Sequence, residues 1–270
     1  MIEHTEEVNL KEKEKSSGLS GSTLKIIAEI TMLIDHTAAT ILERYLDDKG
    51  VDLSFSHIGD GSLGSLQILY FAMRLIGRIA FPIFCFLLVE GFYYTHHLLR
   101  YSGRLFLFAL ISEIPFDLAI SDKWISWKYQ SVYWTLLIGL LTLWGIEAVK
   151  IALRKRSKGF RIFVESLVAI AGMAVALLLR TDYSAAGVLT IVLMYDFRKN
   201  RSAQMAIGCT SLCLFSSIFE FTAYLTIPLV RKYNGKRGLE LKYLFYAFYP
   251  VHLGILALIC WLTGYSSLFK

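Results

Sequence analysis

The stretch LKIIAEITMLIDHTAATILERYL, residues 24–46, decides the fold of this chain. It is apolar for long enough to cross a bilayer, since roughly 20 residues span the hydrocarbon core. Asp35 and His36 nevertheless lie in its middle. An ionisable pair at that depth is costly to insert and usually faces the interior of a helix bundle or a wet cavity. The stretch therefore predicts a membrane helix that lines a polar cleft.

Further polar residues lie on one side of this predicted helix. Lys25, Glu29, His36, Thr40 and Glu43 follow one another at steps of four, seven, four and three residues. These steps place the side chains on one helix face. The stripe predicts a polar cleft with a histidine at its centre, where chemistry or transport would take place.

The composition of the whole chain indicates a membrane protein. Its 270 residues are 55% hydrophobic, the mean hydropathy is +0.51, and there are 4 prolines. Long, nearly uncharged runs recur, as in polytopic membrane proteins. The fold class that we expect is all-α, an integral membrane helix bundle. Its approximately nine membrane segments are predicted at 24–46, 67–95, 104–120, 131–149, 160–180, 184–197, 203–219, 220–230 and 243–264.

The basic residues predict how the bundle is oriented. The net charge is +6, but Lys and Arg concentrate in short loops, so the charge indicates topology rather than nucleic-acid binding. These loops alternate with poorer ones, which predicts a multi-pass protein of the cell membrane with its N-terminus inside and its C-terminus outside. We expect residues 1–23 to be a flexible cytoplasmic tail and residues 24–270 to be the transmembrane domain. The basic loops are 96–104, 150–161, 198–201 and 231–242.

His36 is the predicted catalytic residue, because neutral imidazole is a suitable general base near pH 7. Asp35 is adjacent but points about 100° away. Glu29 lies two turns earlier on the same face, so both carboxylates are candidates to orient the ring. A structural histidine that is hydrogen-bonded to a neighbouring helix is the alternative. No metal site is predicted, because the 4 cysteines lie in apolar runs away from His and carboxylate partners.

Lys25 precedes His36 by eleven residues, close to three helical turns. The two residues therefore share a face and lie about 16 Å apart along the helix axis. Lys25 is then at the cytoplasmic mouth. The spacing suits a long, thin cofactor with its phosphates at the mouth, a shape that coenzyme A has. The commoner use of such a lysine is as a positive-inside anchor, and spacing alone leaves both readings open.

Two arginines and two acids in later segments are further candidates. Arg74 and Arg78 are one turn apart and need anionic partners, either carboxylates of the bundle or a bound substrate group. Glu113 and Asp117 are plausible partners. Pro115 is expected to break the helix between these two acids.

His252 is a second histidine at moderate depth in an apolar run. Pro250, just before it, should kink the last helix and free a backbone carbonyl nearby. Two readings stay open for His252, namely participation in the chemistry and a hydrogen bond to a neighbouring helix.

Six stretches, in order along the chain, carry a resemblance to a known family. They are TMLIDHTAA (31–39), RLIGRIAFPIFCFLLVEGF (74–92), RLFLFALISEIPFDLA (104–119), QSVYWTLLIGLL (130–141), DYSAAGVL (182–189) and YAFYPVHL (246–253). With them the chain resembles the TraX family, membrane proteins named for a role in N-terminal acetylation of conjugative F-pilin. That family is similar to a wider group of membrane acyltransferases. In part of that group a basic residue precedes a catalytic histidine by eleven positions, as Lys25 precedes His36.

The resemblance implies an acetyl-CoA-dependent O- or N-acetyltransferase. Cytoplasmic acetyl-CoA would be the donor, and a pilin-like peptide or a cell-envelope glycan would be the acceptor at the membrane. His36 would act as base or acyl carrier, with Asp35 and Glu29 beside it. Lys25, Arg74 and Arg78 would hold the donor, and Glu113, Asp117 and His252 would contact the acceptor. The acceptor itself does not follow from the resemblance.

Two other classes of function fit the same residues. Carboxylates and histidines at mid-membrane depth are also used by proton-coupled transporters. A non-catalytic membrane assembly factor would use them only as contacts between helices.

Overall fold

The computed structural model describes residues 18–53 and 64–266, and within them the chain is all-helical with no β-strand. The α-helices are α1 (Gly21–Thr37), α2 (Glu43–Asp48), α3 (Ser65–Gly77), α4 (Ala80–Tyr94), α5 (Leu98–Phe116), α6 (Val132–Ala152), α7 (Lys158–Leu178), α8 (Ser184–Asp196), α9 (Arg201–Phe215), α10 (Thr226–Arg231) and α11 (Lys242–Leu262). A π-helical turn at Ala38–Leu42 joins α1 to α2, a second at Asp117–Ser121 extends α5, and a 3₁₀ segment at Ile218–Leu225 leads into α10.

The helices fall where the apolar runs predict them. Every predicted segment corresponds to a helix or a continuous helical run, with ends shifted by a few residues. Among residues 18–53 and 64–266, four runs are long and apolar enough to cross a membrane, namely Ser65–Tyr94, Val132–Ala152, Lys158–Leu178 and Lys242–Leu262. The all-α fold is therefore confirmed, and these four runs are candidate membrane-spanning helices. The count of nine spans and the side of the N-terminus stay predictions.

The core lies between α4, α6 and α8. Phe86, Leu140 and Met194 come from these three helices and are fully buried. Each helix is apolar on all sides, as expected for helices in the centre of a bundle. By contrast, α7 is almost entirely exposed, with 6% of its apolar window buried, so most of its apolar surface is left uncovered by the other described helices. Gly172 lets α7 approach α6, because an added Cβ would collide with the Thr142 side chain.

The start of α1 is fixed to the bundle, which corrects the predicted tail. The Ser20 hydroxyl accepts a hydrogen bond from the Thr23 amide at 3.2 Å and so caps the helix. The amides of Leu19 and Gly21 donate to the carbonyls of Lys232 and Lys236, each at 2.8 Å. Residues 18–23 thus belong to the folded unit, since the loop before α11 supplies their backbone partners. The remainder of the predicted tail, 1–17, lies outside the described residues.

The structure contradicts the helix break predicted at Pro115, and it confirms the carbonyl predicted to be freed by Pro250. Pro115 does not break α5, which continues through it into the π-helical turn at Asp117–Ser121. The φ of proline suits a helix, so the local cost is one lost hydrogen bond that the wider turn accommodates. Pro250 also lies within an unbroken α11, and it does free a carbonyl near His252. The carbonyl one turn earlier, on Tyr246, accepts a hydrogen bond from the Tyr133 hydroxyl at 2.9 Å.

We expect Gly77→Ala to destabilise the protein, because α1 and α3 touch at this glycine. An added Cβ would collide with the Asp35 side chain. Overpacking of this kind costs about 1–3 kcal/mol, so the melting temperature in detergent should fall by several degrees. Gly103→Ala is the control, because Gly103 lies within α5 and its Cβ would meet no atom within 4 Å. Equal melting temperatures for the two variants would contradict the close contact.

Candidate functional site

Two histidines from the first and last helices meet inside the bundle. The Nδ1 atom of His36 lies 2.7 Å from the Nε2 atom of His252. The ring planes are nearly parallel, with an interplanar angle of 5° and centroids 5.0 Å apart, so the two rings lie edge to edge across this hydrogen bond. Tyr249 packs its ring edge-on against both imidazoles, and His252 is 4% exposed. The two rings thus form one hydrogen-bonded unit, which we call the histidine pair.

The partners of the pair determine which nitrogens carry protons. The Nδ1 atom of His252 lies 2.7 Å from the Phe248 carbonyl oxygen, which can only accept, so this nitrogen is the donor. In neutral His252 the Nε2 atom is then an acceptor, and His36 must donate to it from Nδ1. Neutral His36 is therefore left with an unprotonated Nε2. Within the described part of the chain, that nitrogen has no hydrogen-bond partner, so its lone pair is available to act as a base or a nucleophile.

Local backbone irregularity accompanies the pair on both helices. The hydroxyl of Thr40, in the π-helical turn after α1, donates a hydrogen bond to the His36 carbonyl. Such π-helical turns inside α-helices are frequent at functional sites. On α11, Pro250 leaves the Tyr246 carbonyl to Tyr133, which fixes an α6 side chain beside the pair. The Tyr133 ring packs edge-on against Tyr249 at 5.2 Å between centroids.

The carboxylates predicted to orient His36 do not do so. Asp35 forms an ion pair with Arg74 of α3 at 2.9 Å, in keeping with its different direction from the helix axis. Glu29 is buried, and one of its oxygens lacks a hydrogen-bond partner among the described residues. The ring of His36 is oriented by His252 instead. The sequence analysis left open a hydrogen bond from His252 to a neighbouring helix, and the structure confirms it. It could not identify His36 as the partner, because a contact between the first and last helices leaves no trace in local spacing.

The predicted partners of the two arginines are also wrong. Arg74 pairs with Asp35, and Arg78 pairs with Glu220 at 3.2 Å. Glu220 is buried in the 3₁₀ segment and was missed, although an acid within an apolar run was a signal for it.

The two acids proposed as partners are engaged near their own end of α5. Glu113 accepts a hydrogen bond from the Trp134 indole N–H at 3.0 Å. Asp117 accepts one from the Ser126 amide at 2.7 Å. Each carboxylate uses one oxygen close to where α5 ends, its other oxygen lacks a hydrogen-bond partner among the described residues, and neither acid pairs with the arginines at the α3–α4 junction.

Lys25 lines a cavity of about 420 Å³, which we call the aromatic cavity. Its ammonium lies 5.0 Å from the centroid of the Phe245 ring, within the range of a cation–π contact. Three further cations and several aromatic rings surround the cavity, among them Arg104, Arg237, Lys242, Tyr101, Tyr133 and Tyr246. Charged and aromatic walls of this kind suit an anionic ligand with a planar or apolar part.

The aromatic cavity and the histidine pair are separated by two tyrosines. Tyr133 lines the cavity and touches Tyr249, and the Tyr249 ring lies 5.8 Å from that of His36. Arg74 and Arg78 line no part of the cavity. The structure therefore places Lys25 in the wall of the aromatic cavity, and it places the two arginines in a separate group with Asp35 and Glu220.

Asp182, in the turn between α7 and α8, belongs to that charged group. Burial raises the pKa of its carboxyl, Arg78 opposes this shift, the Asp35 carboxylate adds to it, and the resulting pKa is about 6. Two guanidinium groups thus face the three carboxylates of Asp35, Asp182 and Glu220, and we call this set the charge cluster. An excess of acids over bases favours the protonated form of one carboxyl group.

The fold and the buried polar residues define an integral membrane helix-bundle protein with an internal histidine site. Residues 20–260 match the TraX protein family, so the chain belongs to that family, and the resemblance predicted from sequence is confirmed. The chain is 29% identical over 262 residues to the probable fimbrial assembly protein FimC, serogroup H1, of Dichelobacter nodosus. That match covers 88% of this chain and 94% of the relative. No solved structure matches the chain significantly.

The hydrogen-bond chain makes a spectroscopic prediction. In protein labelled with ¹⁵N-histidine at neutral pH, His36 should have its proton on Nδ1 and a bare Nε2, the reverse of the usual preference of free histidine. His252→Leu removes the acceptor and should abolish this preference. His252→Gln keeps an acceptor oxygen at a similar reach and should retain it. An Nε2-protonated His36 in the unaltered protein would contradict the arrangement.

The raised pKa of Asp182 makes a prediction about stability and pH. Because the folded-state pKa is about 6 against an ordinary value of 3.8, this group stabilises the fold at low pH. That contribution is lost as the pH rises through about 6. Asp182→Asn cannot titrate. The melting temperature of the unaltered protein, minus that of the variant, should therefore fall between pH 4.5 and 7.5. A constant difference would contradict the shift.

Proposed function

We propose that this protein transfers an acetyl group from cytoplasmic acetyl-CoA to an amine or hydroxyl acceptor at the membrane. The observation that carries the proposal is the unprotonated Nε2 atom of His36, held by His252 inside an apolar bundle. A base in this protonation state is what an acyl transfer needs, because the attacking amine or hydroxyl must lose a proton. Membership of the TraX family supports the same chemistry.

The aromatic cavity is the proposed donor site. Lys25, Arg104, Arg237 and Lys242 supply positive charge for the phosphates of coenzyme A. The rings of the cavity wall offer contacts for the adenine and the pantetheine arm. Along α1, Lys25 and His36 are about 16 Å apart, so an extended arm is required between phosphate and thioester. For the thioester to reach His36, Tyr133 or Tyr249 has to turn aside.

The proposed orientation follows from the charges at the two ends of the bundle. The aromatic cavity and the loops beside it are basic, and by the positive-inside rule this supports a cytoplasmic position for this end. The N-terminus is then inside, on the side where acetyl-CoA is available. With nine spans the C-terminus lies outside, and the protein is a multi-pass protein of the cell membrane.

In the proposed reaction, the amine nitrogen or hydroxyl oxygen of the acceptor attacks the thioester carbonyl. Nε2 of His36 takes the proton that this nitrogen or oxygen loses. The tetrahedral intermediate then collapses, the carbon–sulfur bond breaks, and the coenzyme A thiolate takes the proton from the imidazolium. His252 holds the imidazole through Nδ1 during both transfers. Arg74, paired with Asp35 beside His36 in the chain, is the proposed cation for the developing oxyanion. Glu113 and Asp117 stay the proposed contacts to the acceptor.

We expect His36→Ala and Lys25→Ala to separate chemistry from binding. Purified full-length protein would be assayed for acetyl-CoA binding and for release of the free thiol. His36→Ala should bind acetyl-CoA normally and lose at least about 100-fold in turnover, the scale of general base catalysis. Lys25→Ala should weaken binding by about 10-fold, the scale of one charged hydrogen bond.

Lys49→Ala is the matched control, because Lys49 lies after α2 and does not line the aromatic cavity. It should leave both quantities unchanged. If the unaltered protein neither binds nor consumes acetyl-CoA, the proposal is wrong. If His36→Ala retains turnover, His36 is removed from the mechanism.

A second function is favoured by one finding, the relative whose name describes a probable fimbrial assembly protein. By that reading, the chain would assist assembly of a surface fibre without chemistry, and its buried pairs would hold helices together. An assembly factor of this kind should tolerate His36→Ala and Lys25→Ala in a fibre-assembly assay. An acetyltransferase should lose acetylation of its acceptor in the same cells.

A further inference from the structure

A second cavity of about 590 Å³ lies beside the aromatic cavity, and we call it the arginine cavity. It is formed where the turn between α8 and α9 meets the end of α10. Its walls carry the cations Arg198, Lys199, Arg201 and Arg231, and Glu90 is the acid that lines it. Four cations against one carboxylate leave a strong positive excess.

Two of these arginines are each held in place by the carbonyl and the ring of a tyrosine, and most N–H donors of each guanidinium remain unused. Arg201 donates to the Tyr233 carbonyl at 2.5 Å and lies 5.0 Å from the centroid of that ring. Arg198 donates to the Tyr195 carbonyl at 3.0 Å and lies 4.3 Å from the Tyr195 ring. A guanidinium has five N–H donors, and each of these uses one in a hydrogen bond. Both side chains are thus ordered while most of their hydrogen-bonding capacity remains.

The charge of the arginine cavity is not balanced by ion pairs. Among residues 18–53 and 64–266, none of its four cations forms a salt bridge with an acid. By contrast, Arg74 and Arg78 of the charge cluster each form an ion pair with an acid. Four clustered cations with a single acid among them repel one another, and an anionic ligand relieves that repulsion.

The arginine cavity continues into the aromatic cavity. Glu90 and Tyr94 line both. Tyr233 lines the aromatic cavity and carries Arg201 of the arginine cavity on its ring and carbonyl. A ligand too long for about 420 Å³ therefore has a second, basic space directly adjoining the first.

We infer that the arginine cavity binds a phosphate group. With the donor site proposed above, on which this assignment rests, the group is the phosphomonoester on the ribose of coenzyme A. The diphosphate would then lie with Lys25 and Arg104 in the aromatic cavity. The other source of the same chemistry is the phosphate of an anionic phospholipid, since the cavity lies at the basic end of the bundle.

The test compares two nucleotides that differ only in this phosphate. Coenzyme A and 3′-dephospho-coenzyme A would be titrated calorimetrically into the full-length protein in detergent. The unaltered protein should bind coenzyme A about 10-fold more tightly or better, since the extra phosphate gains charged hydrogen bonds. Lys199→Gln combined with Arg231→Gln should reduce this preference to less than about 3-fold while leaving the affinity for the dephosphorylated nucleotide unchanged.

Lys155→Gln combined with Arg156→Gln is the control. It removes the same two charges from the exposed loop between α6 and α7, and those residues line neither cavity. It should keep the full preference for coenzyme A. A preference that is equally large in the unaltered protein and in the Lys199/Arg231 variant overturns the nucleotide assignment.

A lipid arm separates the two sources and protects the test from failure of the proposed function. Binding of phosphatidylglycerol, with phosphatidylcholine as reference, would be measured by native mass spectrometry on the same variants. If phosphatidylglycerol binding is lost in the Lys199/Arg231 variant and kept in the Lys155/Arg156 control, the result supports a phosphate site for lipid. If the unaltered protein binds neither nucleotide, the donor proposal fails and this arm decides alone. If neither ligand depends on Lys199 and Arg231, the phosphate site is wrong.

Discussion

An ionisable side chain inside an apolar helix bundle has to be matched by another group of the bundle, and this constraint organises the protein. His36 is matched by His252, Asp35 by Arg74, and Arg78 by Glu220. Each contact joins two different helical segments of the chain. The polar groups therefore determine which helices are neighbours, while the apolar faces supply the general attraction.

The helices could be predicted from the sequence because hydropathy is a local property. Runs of about 20 apolar residues located the segments, and the acid and histidine in the first run located the site. The partners could not be predicted in this way. Arg74 of α3 pairs with Asp35 of α1 and not with an acid of α5, and His252 contacts His36 from 216 residues away in the chain. Spacing along one helix reports which side chains share a face, but it does not report which helix that face meets.

The boundary of the first helix shows the same limit. The polar composition of residues 1–23 suggested a tail, yet Ser20 begins a helix. A serine before an apolar run is a capping signal, and it marks this start better than composition does. The backbone pairing with the loop before α11 is a tertiary contact that no local pattern contains.

The π-helical turn after α1 has a consequence for the polar stripe. Seven residues after His36, an unbroken α-helix would bring Glu43 back to the same side, within about 20°. The turn absorbs one additional residue, which rotates everything beyond it by about 100°. Glu43 accordingly faces α3, where it accepts a hydrogen bond from the Tyr70 hydroxyl at 2.8 Å. This one-residue insertion thus keeps the Glu43 carboxylate off the helix face that carries His36. It also lets the stretches before and after the turn contact different neighbours.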